Sequence, residues 1–239
     1  MKSPRFNARI AGIAYLVIFL AAPFSEFFVR SGVIVRGDAA ATANNILAAE
    51  TLWRFGYVAE FATATCDIIV AVLLYELLKP AGKTGAMLAA AFRLITVAIT
   101  APKALLHLAP LYLLDGGDVM SAFPTEQLQA LSYMSLRLHG EAYDVALFYF
   151  GIHCLLIGWL IARATFMPRI IGWLLALAGL CYIFNTVAGA LAPEFARGLF
   201  PWILLPALPA EGGLTLWLLI MGVNADKWRG QEAAAEARA

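Results

Sequence analysis

Three histidines, His107, His139 and His153, and a set of acidic and basic residues occur inside long apolar runs of this sequence. The run over residues 137–160, RLHGEAYDVALFYFGIHCLLIGWL, holds two of the histidines together with Glu141 and Asp144. A charged side chain near the centre of a membrane helix costs roughly 2.5 to 3.5 kcal/mol, so such residues face a protein interior or a wet cavity and mark a site. Imidazoles beside carboxylates can do three kinds of chemistry: ligand binding coupled to protonation, general acid–base catalysis and metal ligation. The first reading has Glu26, Glu60, His139 and Asp144 lining an outward-open pocket, with Glu211 at its floor, that takes a small molecule or ion. The second makes His139 a general base, oriented by Asp144 or Glu60, in an intramembrane enzyme acting on a lipid or quinone-like substrate. A third is a structural or accessory subunit whose polar residues only set helix packing.

Metal ligation is the weakest of these from spacing. His139 and His153 are fourteen residues apart, about 21 Å along a helix, and cannot share one ion. Tyr143 and Phe150 lie between them on the same face. His107 and His139, with Glu60, Glu141 or Asp144, are adequate ligands for zinc or iron, yet no His-Glu-x-x-His, His-x-x-Glu-His or Glu-x-x-His spacing occurs. The expectation is therefore no metal and no cofactor, with His107 and His139 the candidates should an ion bind.

The elements that must position these residues are membrane helices. Six stretches, roughly 10–29, 53–78, 85–114, 138–163, 169–191 and 199–224, reach the ~20 residues that a bilayer of about 30 Å demands. The expected fold is all-α: a six-helix polytopic membrane domain over 1–226, a short cytoplasmic tail over 227–239, and two amphipathic outer-surface helices. Those two are DAAATANNILAAE, with Asp38 as N-cap, and PTEQLQALSYMSL, opened by Pro124; both run into the next span. Lys2, Arg5, Arg9, Lys79, Lys83, Arg163, Arg169, Lys227 and Arg229 gather at one set of helix ends, against Arg30, Arg36 and Arg197 at the other. The positive-inside rule then places both termini in the cytoplasm of a multi-pass inner-membrane protein. The basic start followed by apolar residues imitates a secretory signal, but Pro23 and the continuing Phe24, Phe27 and Phe28 make it a first membrane helix. Leu52–Gly56 with Glu60 echoes Leu136–Gly140 with Asp144, the pattern of a parallel repeat of surface helix plus hairpin.

Counted from the cytoplasmic ends, the polar residues fall into two layers. Asp67, Arg93, His153, Asn185 and Glu211 lie near the midplane; Glu26, Glu60, Lys103, His107, His139, Glu141 and Asp144 lie nearer the outside. Glu60 and Asp67 are a heptad apart and share a helix face, and Arg93 and Lys103 reach comparable depths on the following antiparallel helix, so the pairs expected are Asp67 with Arg93 and Glu60 with Lys103. Pro201, Pro206 and Pro209 before Glu211-Gly212-Gly213 predict a broken last helix with the carboxylate at the break.

With 62% hydrophobic and 14% charged residues, a soluble protein is excluded, and a net charge of +1 gives no general attraction to nucleic acid. The lipid bilayer and a small ligand are the partners expected; oligomeric state is left open. Cys66, Cys154 and Cys181 sit in apolar runs and read as small hydrophobes. Phosphate-binding, nucleophile-elbow and dinucleotide signatures are missing from the sequence.

ARIAG near residue 8, GDAAATANNILAAE, HG followed by YFGIHCLLIGWL, and MPRIIGWLLALAGLCYI together resemble the bacterial membrane family called domain of unknown function 4386. The resemblance runs from about residue 8 to 224. It implies a six-helix inner-membrane protein and supplies no activity, substrate or catalytic residue.

Overall fold

The computed structural model describes residues 3–199 and 201–237; Met1, Lys2, Phe200 and the last two residues lie outside the described part. Among the described residues it is helical throughout, with no strand. We number the helices α1 (Pro4–Val33), α2 (Ala39–Ala48), α3 (Glu50–Leu78), α4 (Lys83–Leu114), α5 (Thr125–Arg163), α6 (Arg169–Leu191), α7 (Pro193–Leu199), α8 (Ala207–Leu216) and α9 (Ala225–Glu236). Six segments among the described residues are long and apolar enough to cross a membrane: α1, α3 through Ala81, α4, α5, α6, and Trp202–Met221, which contains α8. Large apolar side chains such as Leu20, Phe28, Leu105, Trp173, Leu180 and Ile220 are exposed along these segments. Water does not solvate so extended an apolar surface, whereas lipid does. The chain is a multi-pass helical membrane protein.

The amphipathic stretches extend the spans. Asp38 Oδ1 accepts the Ala41 amide at 2.8 Å and so caps α2, which breaks from α3 only at Ala49. Residues 125–136 are continuous with the membrane span of α5, a single helix of 39 residues. Prolines shape the last span differently from the sequence expectation. The described stretch 201–206 holds only a single 3-10 turn, Trp202–Leu204, and Pro209 falls in the first turn of α8, where a helix amide has no intrahelical partner. Glu211 therefore sits in intact helix beyond the break. In α1 the turn Phe24–Arg30 is π-helical, and Ser31 closes it by donating both its amide and its Oγ–H to the Glu26 carbonyl.

The chain divides into two compact units: Met1–Leu16, Cys66–Val97 and Val145–Ala239, and Val17–Thr65 with Ala98–Asp144. In the first, α5 and α6 meet through glycines. A Cβ added to Gly158 would come 2.5 Å from the Gly172 carbonyl, and one on Gly179 would come 2.6 Å from that of Gly151. Small residues at such contacts let backbones approach, which matters where lipid offers no hydrophobic drive between helices. The tail expected at 227–239 begins as α9, whose N-cap Asn224 accepts the Lys227 amide. Trp228 is buried and donates Nε1–H to the Leu77 carbonyl at 2.8 Å, and Gln231 Oε1 accepts from Thr165. The second unit is built on Val29, Val33, Ile46, Trp53, Leu108, Leu111 and Leu136.

Candidate functional site

In the second unit, α3 presents Trp53, Gly56 and Glu60 on one face, because three to four residues make one helical turn. On α4, Lys103 and His107 are likewise one turn apart, and α5 brings His139. Glu60 stands at the centre. Its Oε2 accepts from Lys103 Nζ at 2.7 Å, and its Oε1 is 3.0 Å from His107 Nδ1 and 2.9 Å from His139 Nε2. Lys103, His107 and His139 are all buried, and only 9% of the Glu60 side chain is exposed.

His107 is locked by a reciprocal pair of bonds with Trp53. Trp53 donates Nε1–H to the His107 carbonyl at 2.8 Å, and His107 Nε2 faces the Trp53 carbonyl at 3.0 Å. A carbonyl can only accept, so Nε2 carries the proton and Nδ1 is aimed at Glu60. The two rings lie against each other with centroids 4.2 Å apart and planes tilted by 32°. Gly56 makes room for this packing: a Cβ there would lie 2.9 Å from Val29 and 3.1 Å from His107 Cε1.

His139 is less settled. Its Nε2 lies 2.9 Å from both the Glu60 carboxylate and the Lys103 amine. The carboxylate asks for a proton on that nitrogen and the ammonium for a lone pair, and one nitrogen cannot supply both. Its other nitrogen, Nδ1, is buried with no partner among the described residues. On α1, Arg30 donates Nε–H to Glu26 at 3.1 Å while its buried Nη1 also lacks a partner. Glu26 itself is half-exposed, with 52% of its side chain accessible. Asp144 is half-buried on α5, five residues beyond His139 and so turned to a different face of the helix.

The first unit has its own polar centre, around Arg93. The guanidinium donates from Nε (3.0 Å) and Nη2 (2.5 Å) to Asp67 Oδ1, and from Nη1 to the Tyr15 hydroxyl (2.5 Å) and to His153 Nε2 (3.0 Å). Since Arg93 cannot accept, His153 Nε2 holds a lone pair, and its Nδ1–H donates to the Ala89 carbonyl at 2.8 Å. The rings of Tyr15 and Phe150 lie 4.6 and 5.3 Å from the guanidinium carbon. Arg93 is fully buried and four donor contacts are filled, so this centre holds α1, α3, α4 and α5 in register. Glu211 belongs to this unit too and accepts the Tyr182 hydroxyl; Asn185 is buried on α6.

Of the sequence candidates, Glu60, Lys103, His107 and His139 converge, as do Asp67, Arg93 and His153. Glu26 meets Arg30, and Glu211 meets Tyr182. Trp53, Tyr15, Tyr182 and the buried side of Arg30 were not anticipated. Only Trp53 carried a usable signal, since it precedes Glu60 by seven residues and so shares its face.

Known proteins give this chain a place but no activity. An uncharacterised protein of Archaeoglobus fulgidus is 27% identical over 168 residues, covering 70% of this chain and 84% of that protein. No solved structure matches. The family model described as domain of unknown function (DUF4386) matches residues 10–222, so the chain belongs to that family, the one its sequence motifs resemble.

Proposed function

We propose that this membrane protein binds a small polar molecule or ion at the Glu60–Lys103–His107–His139 cluster, with Glu26, Arg30 and Asp144 around it. One observation carries the reading: two buried polar atoms of this unit, His139 Nδ1 and Arg30 Nη1, have no partner among the described residues. Leaving a buried donor or acceptor unpaired costs about 1–3 kcal/mol, and water or a ligand is what relieves it. Glu211, in the other unit, is not required. The asymmetry of basic residues supports an orientation with both termini in the cytoplasm and this cluster toward the outer face of an inner membrane.

The test is thermal unfolding of the purified protein in detergent against a panel of divalent cations, phosphate and carboxylate anions, and small amines. A ligand at one hundred times its Kd stabilises by about 2.7 kcal/mol. The expected result is that one class stabilises the wild type and loses its effect in Glu60→Gln and His139→Gln. Should no class stabilise the wild type, the proposal is refuted.

A further inference from the structure

We propose that the ligand of this cluster is a divalent transition-metal ion held by Glu60, His107 and His139, and that the Lys103 ammonium is its displaceable stand-in. This rests on the binding reading above and names its ligand class.

The donor set comes first. One atom from each of Glu60, His107 and His139 lies within 4.8 Å of the others, and Glu60 Oε1 is 3.0 and 2.9 Å from the two imidazole nitrogens. Ligands about 2.0–2.2 Å from a shared tetrahedral ion stand about 3.4 Å apart, so Glu60 need draw back from each imidazole by only some tenths of an ångström, and the two imidazole nitrogens lie within 4.8 Å of each other. Two imidazoles and one carboxylate suit zinc, iron, cobalt or nickel, whereas calcium and magnesium prefer oxygen. Three protein ligands also leave a coordination position open, as in sites that exchange a ligand rather than closed structural ones.

The surroundings of His107 are those of a metal ligand. Its Nε2–H is fixed on the Trp53 carbonyl, and Trp53 is itself held by the His107 carbonyl, so Nδ1 is the nitrogen that faces the cluster, and an ion bound there would take the place of the proton that Nδ1 shares with Glu60. An outer ring N–H bonded to a carbonyl sets the tautomer of metal-binding histidines generally. His139 would bind through Nε2, with its proton on Nδ1, which has no carbonyl to fix it among the described residues, and the conflict between Glu60 and Lys103 over Nε2 then disappears.

Lys103 explains how the site persists without metal. Its Nζ touches Glu60 Oε2 at 2.7 Å and His139 Nε2 at 2.9 Å, so a cation already bridges two of the three ligand residues. An entering ion has to displace it. The lysine stem is flexible, and the Tyr143 ring, 5.4 Å from Nζ, is an aromatic face on which the ammonium can settle. Lysine thus lowers metal affinity by competing for Glu60 and by leaving extra positive charge in the bundle.

The experiment is direct Co2+ binding to protein purified through a histidine-free tag and stripped with chelator. The wild type is expected to take one equivalent of Co2+ with visible d–d absorption, and Zn2+ should displace it. His107→Ala and His139→Ala should each weaken binding at least tenfold, and Lys103→Met should tighten it at least tenfold, a gain that a merely structural lysine would not give. Wild-type binding is the primary readout, so a variant that fails to fold leaves the proposal open to refutation. No saturable Co2+ spectrum in the folded wild type overturns it, as does binding that both histidine variants retain. If metals fail while an anion or amine still stabilises the wild type through Glu60 and His139, the metal inference falls and the binding reading stands. If nothing binds, both fall.

Discussion

Arg93 offers a measurement whose size can be worked out contact by contact. Asp67→Ala strands a guanidinium whose side chain is 1% exposed, and breaking a buried pair from one end costs about 3–5 kcal/mol. Arg93→Met strands the Asp67 carboxylate at the same cost, and it also removes the donor to the Tyr15 hydroxyl and to His153 Nε2, each worth about 1–3 kcal/mol when left unsatisfied. The arginine variant therefore loses roughly 5 kcal/mol or more, a large part of the stability of a small domain. In the double variant neither charge remains. Only the Tyr15 and His153 contacts are missing, and the loss should shrink to roughly 2–6 kcal/mol. The assay is denaturant or thermal unfolding of all four proteins in one detergent, read as a double-mutant cycle. The double variant is expected to be more stable than Arg93→Met alone. Losses that add across the two sites would show that the pair does not hold the bundle in register, and a milder effect from Arg93→Met than from Asp67→Ala would refute the assignment of Tyr15 and His153 as its further partners.

Topology gives a second test: a cysteine introduced at Gly117 should react with an impermeant reagent in intact cells and one at Gly82 should not, the reverse pattern overturning the cytoplasmic placement of the termini. Glycines of α5 give a third. Gly158→Ala puts a methyl 2.5 Å from the Gly172 carbonyl and should destabilise by roughly 1–3 kcal/mol, whereas Gly140→Ala meets nothing within 4 Å and should be neutral or stabilising by up to about 1 kcal/mol in the same unfolding assay.

Much of the fold was legible because a bilayer imposes a length on its helices, and the six spans follow from counting apolar residues. Depth is legible for the same reason, since position along a straight helix follows residue number; Asp67 and Arg93, or Glu60 and Lys103, can be matched before any coordinates exist. Azimuth between helices is not encoded so simply. Nothing in the spacing of Tyr15 says that its hydroxyl reaches Arg93, and nothing around His153 says that it meets the same guanidinium while His139 meets Lys103. The last span shows a different limit. Three prolines near Glu211 suggested a break at the carboxylate, but proline disrupts a helix only beyond its first turn, and a start at Ala207 makes Pro209 harmless. The tail's anchoring is not legible either: nothing in the composition of 227–239 says that Trp228 donates to the Leu77 carbonyl.

The π-helical turn in α1 bears on how this family can vary. Such a turn accommodates one residue more than an α-helical turn would, and the surplus is absorbed locally, so Gly12 and Tyr15 before it and Val33 after it keep their faces. A homologue one residue shorter between positions 24 and 30 would keep the faces on either side with a regular helix and would re-aim only the side chains of the turn itself, Glu26 and Arg30 among them. Length polymorphism at this one place would separate members that retain the Glu26–Arg30 pair from members that do not, and a deletion elsewhere in α1 would instead rotate every following side chain by about 100°. The turn is thus a point at which the lineage can gain or shed a charged pair without rebuilding its bundle.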